Sequence, residues 1–162
     1  MSNQADRNGE HDFDFLVGAW HVQNRCLRRA FESSTEWYEF PATVGCRHIL
    51  DGRGTIDEYR APSQGLVALA LRLFDPSERT WSIYWATRRD GILGPPVVGR
   101  FTRGRGDFSG DDTYEGRTIR VHFTWSAITP TSARWEQAFS ADGGETWEPN
   151  WVMEFTRVAS TT

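Results

Sequence analysis

Ile119-Arg120-Val121-His122-Phe123-Thr124-Trp125-Ser126 is the stretch that decides the fold. Ile119, Val121, Phe123 and Trp125 alternate with Arg120, His122, Thr124 and Ser126. A period of two puts the first set on one face of an extended chain and the second on the other. The pattern recurs downstream. Trp135 and Phe139 alternate with Arg134, Glu136 and Ser140, and Trp151, Met153 and Phe155 alternate with Asn150, Glu154 and Thr156. Upstream, Val67, Leu69, Leu71 and Leu73 share one parity, and Trp81, Ile83 and Trp85 another. Turn signals such as Asp51–Gly54, Asp75–Glu78, Asp90–Pro96 and Asp142–Gly144 separate these runs at roughly 8 to 15 residues. Only Asp12–Val17 reads as helical, for a turn or two. The reading is all-β, a single antiparallel up-and-down barrel of about 8–10 strands whose apolar faces share one interior.

The chain of 162 residues suits one domain, placed over residues 12–158, with residues 1–11 and 159–162 expected as flexible termini. A formal net charge of −4 argues against a nucleic-acid binder, which usually carries a basic face. No apolar run approaches the roughly 18 residues of a spanning helix, and the polar N-terminus has no signal-peptide core, so no membrane insertion is expected. Cys26 falls across from residues near Trp37, which leaves Cys46 roughly 30 Å further along at the strand rise. A disulfide needs Cα atoms within about 7 Å, so two free thiols and a cytoplasmic location are expected. No Cys/His spacing suggests a metal site. The compositional oddity is 8 Trp among 10 Phe and 4 Tyr.

Hairpin registers place specific residues together. Pairing Trp125 with Trp135 puts Phe123 across from Gln137, and pairing Phe139 with Trp147 brings Trp135 to Trp151. Pairing Leu73 with Trp81 sets Leu69 across from Trp85. On the third strand Thr55, Asp57 and Tyr59 point inward, and a register across Asp51–Gly54 sets His48 beside Asp57 and Cys46 beside Tyr59. A register slip would give an Arg47–Asp57 ion pair instead. Asn24 and Gln137 are polar intruders on apolar faces. Tyr59, Trp85, Phe123, Trp125, Trp135, Gln137 and Trp151 are therefore the candidate ligand-binding set, fit for a small hydrophobic or aromatic molecule. His48 and Asp57 are candidate catalytic residues, a general base with its orienting partner. The alternative function is thus a cyclase, isomerase or hydrolase that needs no cofactor. Haem held by His21, His48 or His122 is the one cofactor alternative. Trp37 and Tyr84 are candidates for self-association as a homodimer.

Two further features are local. Ser140-Ala141-Asp142-Gly143-Gly144-Glu145-Thr146-Trp147 matches a single Asp-box hairpin without the repeat period of a propeller, and reads as a structural turn. Asp111, Asp112 and Glu115 read as turn carboxylates without calcium-loop spacing.

Gly18-Ala19-Trp20 opens the first strand behind the Phe13-Asp14-Phe15-Leu16 turn, and Arg157 ends the last strand with the parity of Trp151, Met153 and Phe155. This pairing resembles the lipocalin/calycin signature, in which a Gly-x-Trp is covered by an Arg from the last strand. The segments FDFLVGAW (residues 13–20), LRLFDPSERTWSIYW (71–85), PPVVGRF (95–101), GDDT (110–113) and WEPNWVMEFTR (147–157) resemble a family of uncharacterised bacterial calycin-like proteins, of the domain-of-unknown-function type. The resemblance implies a lipocalin-like barrel with Arg157 stacked on Trp20. It implies no activity.

Overall fold

The computed structural model describes residues 9–159. Ten strands follow one another: β1 Gly18–Leu27, β2 Trp37–Ile49, β3 Gly54–Ala61, β4 Leu66–Asp75, β5 Thr80–Thr87, β6 Val97–Thr102, β7 Arg105–Tyr114, β8 Arg117–Ser126, β9 Ser132–Ser140 and β10 Glu148–Arg157. Each pairs antiparallel with its sequence neighbours, and β1 pairs with β10 to close the barrel. Closure leaves no unpaired sheet edge. The helical turn expected near the N-terminus is a 3-10 turn, Asp14–Leu16. Among the described residues no helix is long and apolar enough to cross a membrane. Both cysteines are free and buried. The expected flexibility of residues 1–8 and 160–162 lies outside the described residues.

Alternation explains the core. Trp20, Val22 and Asn24 of β1, Ile119, Val121 and Trp125 of β8, and Met153 and Phe155 of β10 are buried at every second position. The end near the start of β1 is filled solid. Phe13 sits there with its ring 5.1 Å from Trp81, 5.0 Å from Phe101 and 5.7 Å from Phe108. Trp20 lies beside this plug, and its indole N–H donates to the Leu16 carbonyl at 2.8 Å. The Arg157 guanidinium covers Trp20 at 4.2 Å and donates to the carbonyls of Phe15, Val17 and Pro130. Gly18 has φ +126°, and a Cβ there would meet Arg157 Nη1 at 2.5 Å. The position therefore suits glycine on conformation and on space alike.

Three registers differ from the sequence expectation. The loop Pro76–Arg79 closes on the pair Asp75↔Thr80, with Arg79 in the left-handed region, so Phe74 lies across from Trp81 and Ala70 from Trp85. Ala68, Ala70, Arg72 and Phe74 face inward, and Val67, Leu69, Leu71 and Leu73 face outward, half-buried. Small alanines across from large indoles fit the interior better than leucines there. The second difference is the β2–β3 connection. Leu50–Gly52 forms a 3-10 turn with Leu50 and Asp51 at positive φ. The turn is as long as expected but starts one residue earlier, which sets His48 across from Thr55, Cys46 across from Asp57 and Val44 across from Tyr59. Third, Phe139 lies across from Glu148 rather than Trp147, and an irregularity between Pro149 and Trp151 adds one more residue of shift, which puts Trp151 across from Gln137 and Met153 across from Trp135. The Trp125–Trp135 and Phe123–Gln137 pairs form as the sequence predicts.

Candidate functional site

Above the plug the interior stays open as a cavity of about 170 Å³. Its side walls include Tyr59, Trp85, Phe123, Trp135, Gln137 and Trp151, with Arg72, Trp125 and Phe155 toward the plug. Gly94 and Pro95 of the loop after β5, and Asp111 and Asp112 of β7, stand at its rim. The Gly94 N–H donates to the Trp85 carbonyl at 3.0 Å, which straps that loop to β5. For scale, an apolar protein cavity near 150 Å³ takes up benzene. The enclosed space is thus that of a single ring, extendable toward the rim.

The wall is held by one buried amide. Asn24 is fully buried, and its Oδ1 accepts from the Tyr59 hydroxyl at 2.7 Å and from the Trp151 indole N–H at 3.0 Å. Its amide group donates to the Phe40 carbonyl at 3.1 Å. Burial pushes the Tyr59 phenol well above its ordinary pKa, so the hydroxyl stays a donor to Asn24. The rings that Asn24 fixes meet edge-on: Tyr59 to Trp85 at 5.5 Å, Trp85 to Trp151 at 6.1 Å and Trp135 to Trp151 at 5.5 Å. Phe123 packs on Trp135 at 4.9 Å. Gln137 donates to Asn150 Oδ1 at 2.8 Å. All seven residues singled out for ligand contact by alternation face this one space.

Asp57 points inward as expected, but its partner is Arg72, not a histidine. Arg72 Nη1 donates to Asp57 Oδ2 at 2.7 Å and to Thr55 Oγ1 at 3.4 Å, with both charged side chains buried. The guanidinium also lies over Phe13 and Trp125, at 5.2 and 5.9 Å. His48 sits at the end of β2 beyond the inward-facing run, is exposed, and approaches Asp14 at 3.8 Å. The expected His48–Asp57 pair therefore does not form, because the turn that starts at Leu50 sets His48 across from Thr55, at the plugged end of the barrel, and Cys46 across from Asp57. The Arg47–Asp57 alternative does not form either, since Arg47 is exposed across from Ile56. With the pair goes the proton-transfer chemistry read from it. Neither His21, His48 nor His122 lines the cavity. His21 is exposed, and His122 lies against Asp107 and Trp147 on the outer face.

Arg72 was missed by alternation because it stands alone among apolar residues on both faces of β4. The signal for it was Asp57: a carboxylate turned into an apolar interior needs a cation, and an adjacent strand supplies one. Asn24 was read as inward, but its role depends on Tyr59 and Trp151 meeting it from other strands.

Two local motifs are structural. In the Ser140–Trp147 hairpin, Asp142 accepts from the Ser140 hydroxyl and the Thr146 N–H and hydroxyl, and these bonds hold its carboxyl down to about 2. The Trp147 indole N–H donates to the Gly144 carbonyl at 3.1 Å. Asp111 and Asp112 belong to β7 rather than to a turn, and Asp111 pairs with Arg120 at 2.9 Å. Among the described residues no group of three or more His, Cys, Asp or Glu could hold a metal ion.

No family model matches the chain, and no curated protein matches it. Among solved structures it is similar to the S-type phycobiliprotein lyase CPES from Guillardia theta, with a TM-score of 0.62 and 11% identity. The match covers 98% of this chain and 99% of that one. At that identity the likeness shows the fold, a lipocalin-like closed barrel, along its whole length.

Proposed function

We propose that this protein is a small-molecule binding protein that holds a hydrophobic or aromatic ligand in its barrel interior. The observation that carries this reading is the cavity left open above a solid plug. It is walled by Tyr59, Trp85, Phe123, Trp135 and Trp151, with Asn24 holding two of those rings from behind. A wall of apolar rings with few polar groups is the usual make-up of a ligand site. The rings are fixed before a ligand arrives, which lowers the ordering cost of binding.

The test is a titration of toluene and naphthalene, followed by calorimetry and tryptophan emission, on the wild type and on Ala70→Leu. Ala70 lines the cavity across from Trp85, so a leucine fills space there without touching the outer surface. The reading expects saturable binding to the wild type and its loss in the variant. No binding to the wild type, or equal binding to a folded Ala70→Leu, refutes it.

A further inference from the structure

One charge at the mouth of the cavity has no counter-ion. The ionisable side chains that line the cavity are Asp57, Arg72, Asp111 and Asp112. Asp57 is paired with Arg72 at 2.7 Å, and Asp111 with Arg120 at 2.9 Å. Asp112 makes no ion pair among the described residues: its Oδ1 accepts from the Thr113 N–H at 2.7 Å, which leaves Oδ2 open. Register gives its direction. Asp112 lies across from Ile119, which is buried on the inward face of β8, whereas Asp111 lies across from Arg120 on the outer face. Residues across from one another in an antiparallel pair share a face. Asp112 is therefore the inward-facing carboxylate of the two, and it is exposed, at the open rim. Two other charges at this end are engaged elsewhere. Arg117 lies over the Phe31 ring at 5.3 Å, and Glu148 Oε1 accepts from the Phe31 N–H at 2.8 Å, so both hold the β1–β2 loop and neither lines the cavity.

We propose that the ligand of this cavity is an aromatic amine, a ring on an alkyl arm that ends in a positively charged nitrogen, with the ring among the wall aromatics and the ammonium against Asp112 at the rim. This inference rests on the binding function proposed above and names its ligand class. A charge on the ligand cannot follow the ring inward. The charged residues there, Asp57 and Arg72, already neutralise each other, and an uncompensated buried charge is costly. At the rim a charged group keeps part of its water and meets the one unpaired carboxylate. The sign follows: a cation is attracted there, and an anion meets a like charge. Spacing sets the arm. Phe139 lies across from Val121 and Gln137 from Phe123, so a ring at these levels is about 7–13 Å along the strands from Asp112.

4-Phenylbutylamine, pentylbenzene and 5-phenylpentanoate form the probe set, with the same ring and arm and a positive, neutral or negative end. Binding is measured by calorimetry at pH 7 on the wild type, on Asp112→Asn and on Asp111→Asn. The asparagine at 112 keeps an oxygen for the Thr113 N–H and loses the charge. The wild type should bind the amine about tenfold more tightly than the acid, a comparison that needs no variant. Asp112→Asn should weaken the amine by about fivefold, the size expected for an ion pair at an exposed carboxylate, and strengthen the acid. Pentylbenzene should change by less than about twofold. Asp111→Asn, which removes a charge one residue away on the outer face, should leave the ratio of amine to acid within about twofold of the wild type. Three results overturn the amine assignment while the binding function stands on pentylbenzene. These are an acid that binds as tightly as the amine, a ratio of the two that Asp112→Asn does not move, and a ratio that Asp111→Asn narrows as far as Asp112→Asn does. If none of the three probes binds, both fall.

Discussion

Replacing Arg157 with methionine should unseat the plug at the closed end of the barrel. The guanidinium makes three bonds there, Nε to Pro130 O at 2.9 Å, Nη1 to Val17 O at 2.7 Å and Nη2 to Phe15 O at 2.6 Å. It also lies 4.2 Å over the ring of Trp20, which is fully buried. Methionine keeps the apolar stem and removes both sets of interactions. Each hydrogen bond counts about 1 kcal/mol, at the lower end for a charged donor because the side chain is partly solvated. The cation–π contact adds about 1 kcal/mol. The expected loss is therefore about 3–4 kcal/mol, a large share of the roughly 5–15 kcal/mol that holds a domain folded. Urea unfolding followed by tryptophan emission measures it directly, and the melting temperature should fall by about 10 °C. Arg157→Lys serves as the control. It restores the charge but not the planar fork, so it should recover no more than about 1 kcal/mol. A loss below about 1 kcal/mol for the methionine variant, or full recovery by lysine, would refute the account of Arg157 as a clamp across three carbonyls.

Asp57→Asn should cost about 3–5 kcal/mol in urea unfolding, because it strands the buried Arg72 charge. The double variant Asp57→Leu with Arg72→Met should be more stable than Asp57→Asn alone, and a double variant that is worse would overturn the reading of a compensated pair. Burial pushes the Cys26 and Cys46 thiols up to about 11 from an ordinary 9.0. A raised folded-state value means the unfolded chain loses its thiol protons first, so this contribution is complete below pH 9.0 and declines as the pH rises toward about 11. The urea midpoint should fall across that window, and by less in a Cys26→Ala, Cys46→Ala variant. An identical alkaline decline in both proteins counts against it.

What could be read in advance divides along a physical line. The closed barrel and the inward set of β8 follow from alternation, which is local and repeats, whereas the Trp20–Arg157 cover was what the resemblance implied. Registers across loops are not local. Leu50 and Asp51 both take positive φ although neither is glycine, so nothing in the residue types warned that the turn would start at Leu50. That shift kept the inward faces but moved every partner by two residues, so that Cys46 rather than His48 lies across from Asp57. On β4 both faces are apolar, so hydrophobicity could not choose between Leu69 and Ala70. The choice was made by the aromatic volume of Trp81 and Trp85 across the hairpin. The aromatic wall was legible because its rings sit on strands with one polar face. The Asp57–Arg72 pair toward its base was not, because it depends on the register between β3 and β4.

The pairing of β1 with β10 has a kinetic consequence. Every other strand contact joins sequence neighbours, whereas this one joins Trp20 to Arg157 and Cys26 to Trp151. A chain can thus form nine hairpins from one end to the other and still have two bare edges, each ready to pair with another molecule. Sealing them means closing nearly the whole chain into one loop, the most costly closure in the molecule and a slow one. The Arg157 clamp lies on that last seam, so it does more than brace the finished barrel: it sets how long a nearly complete sheet stays open to the wrong partner.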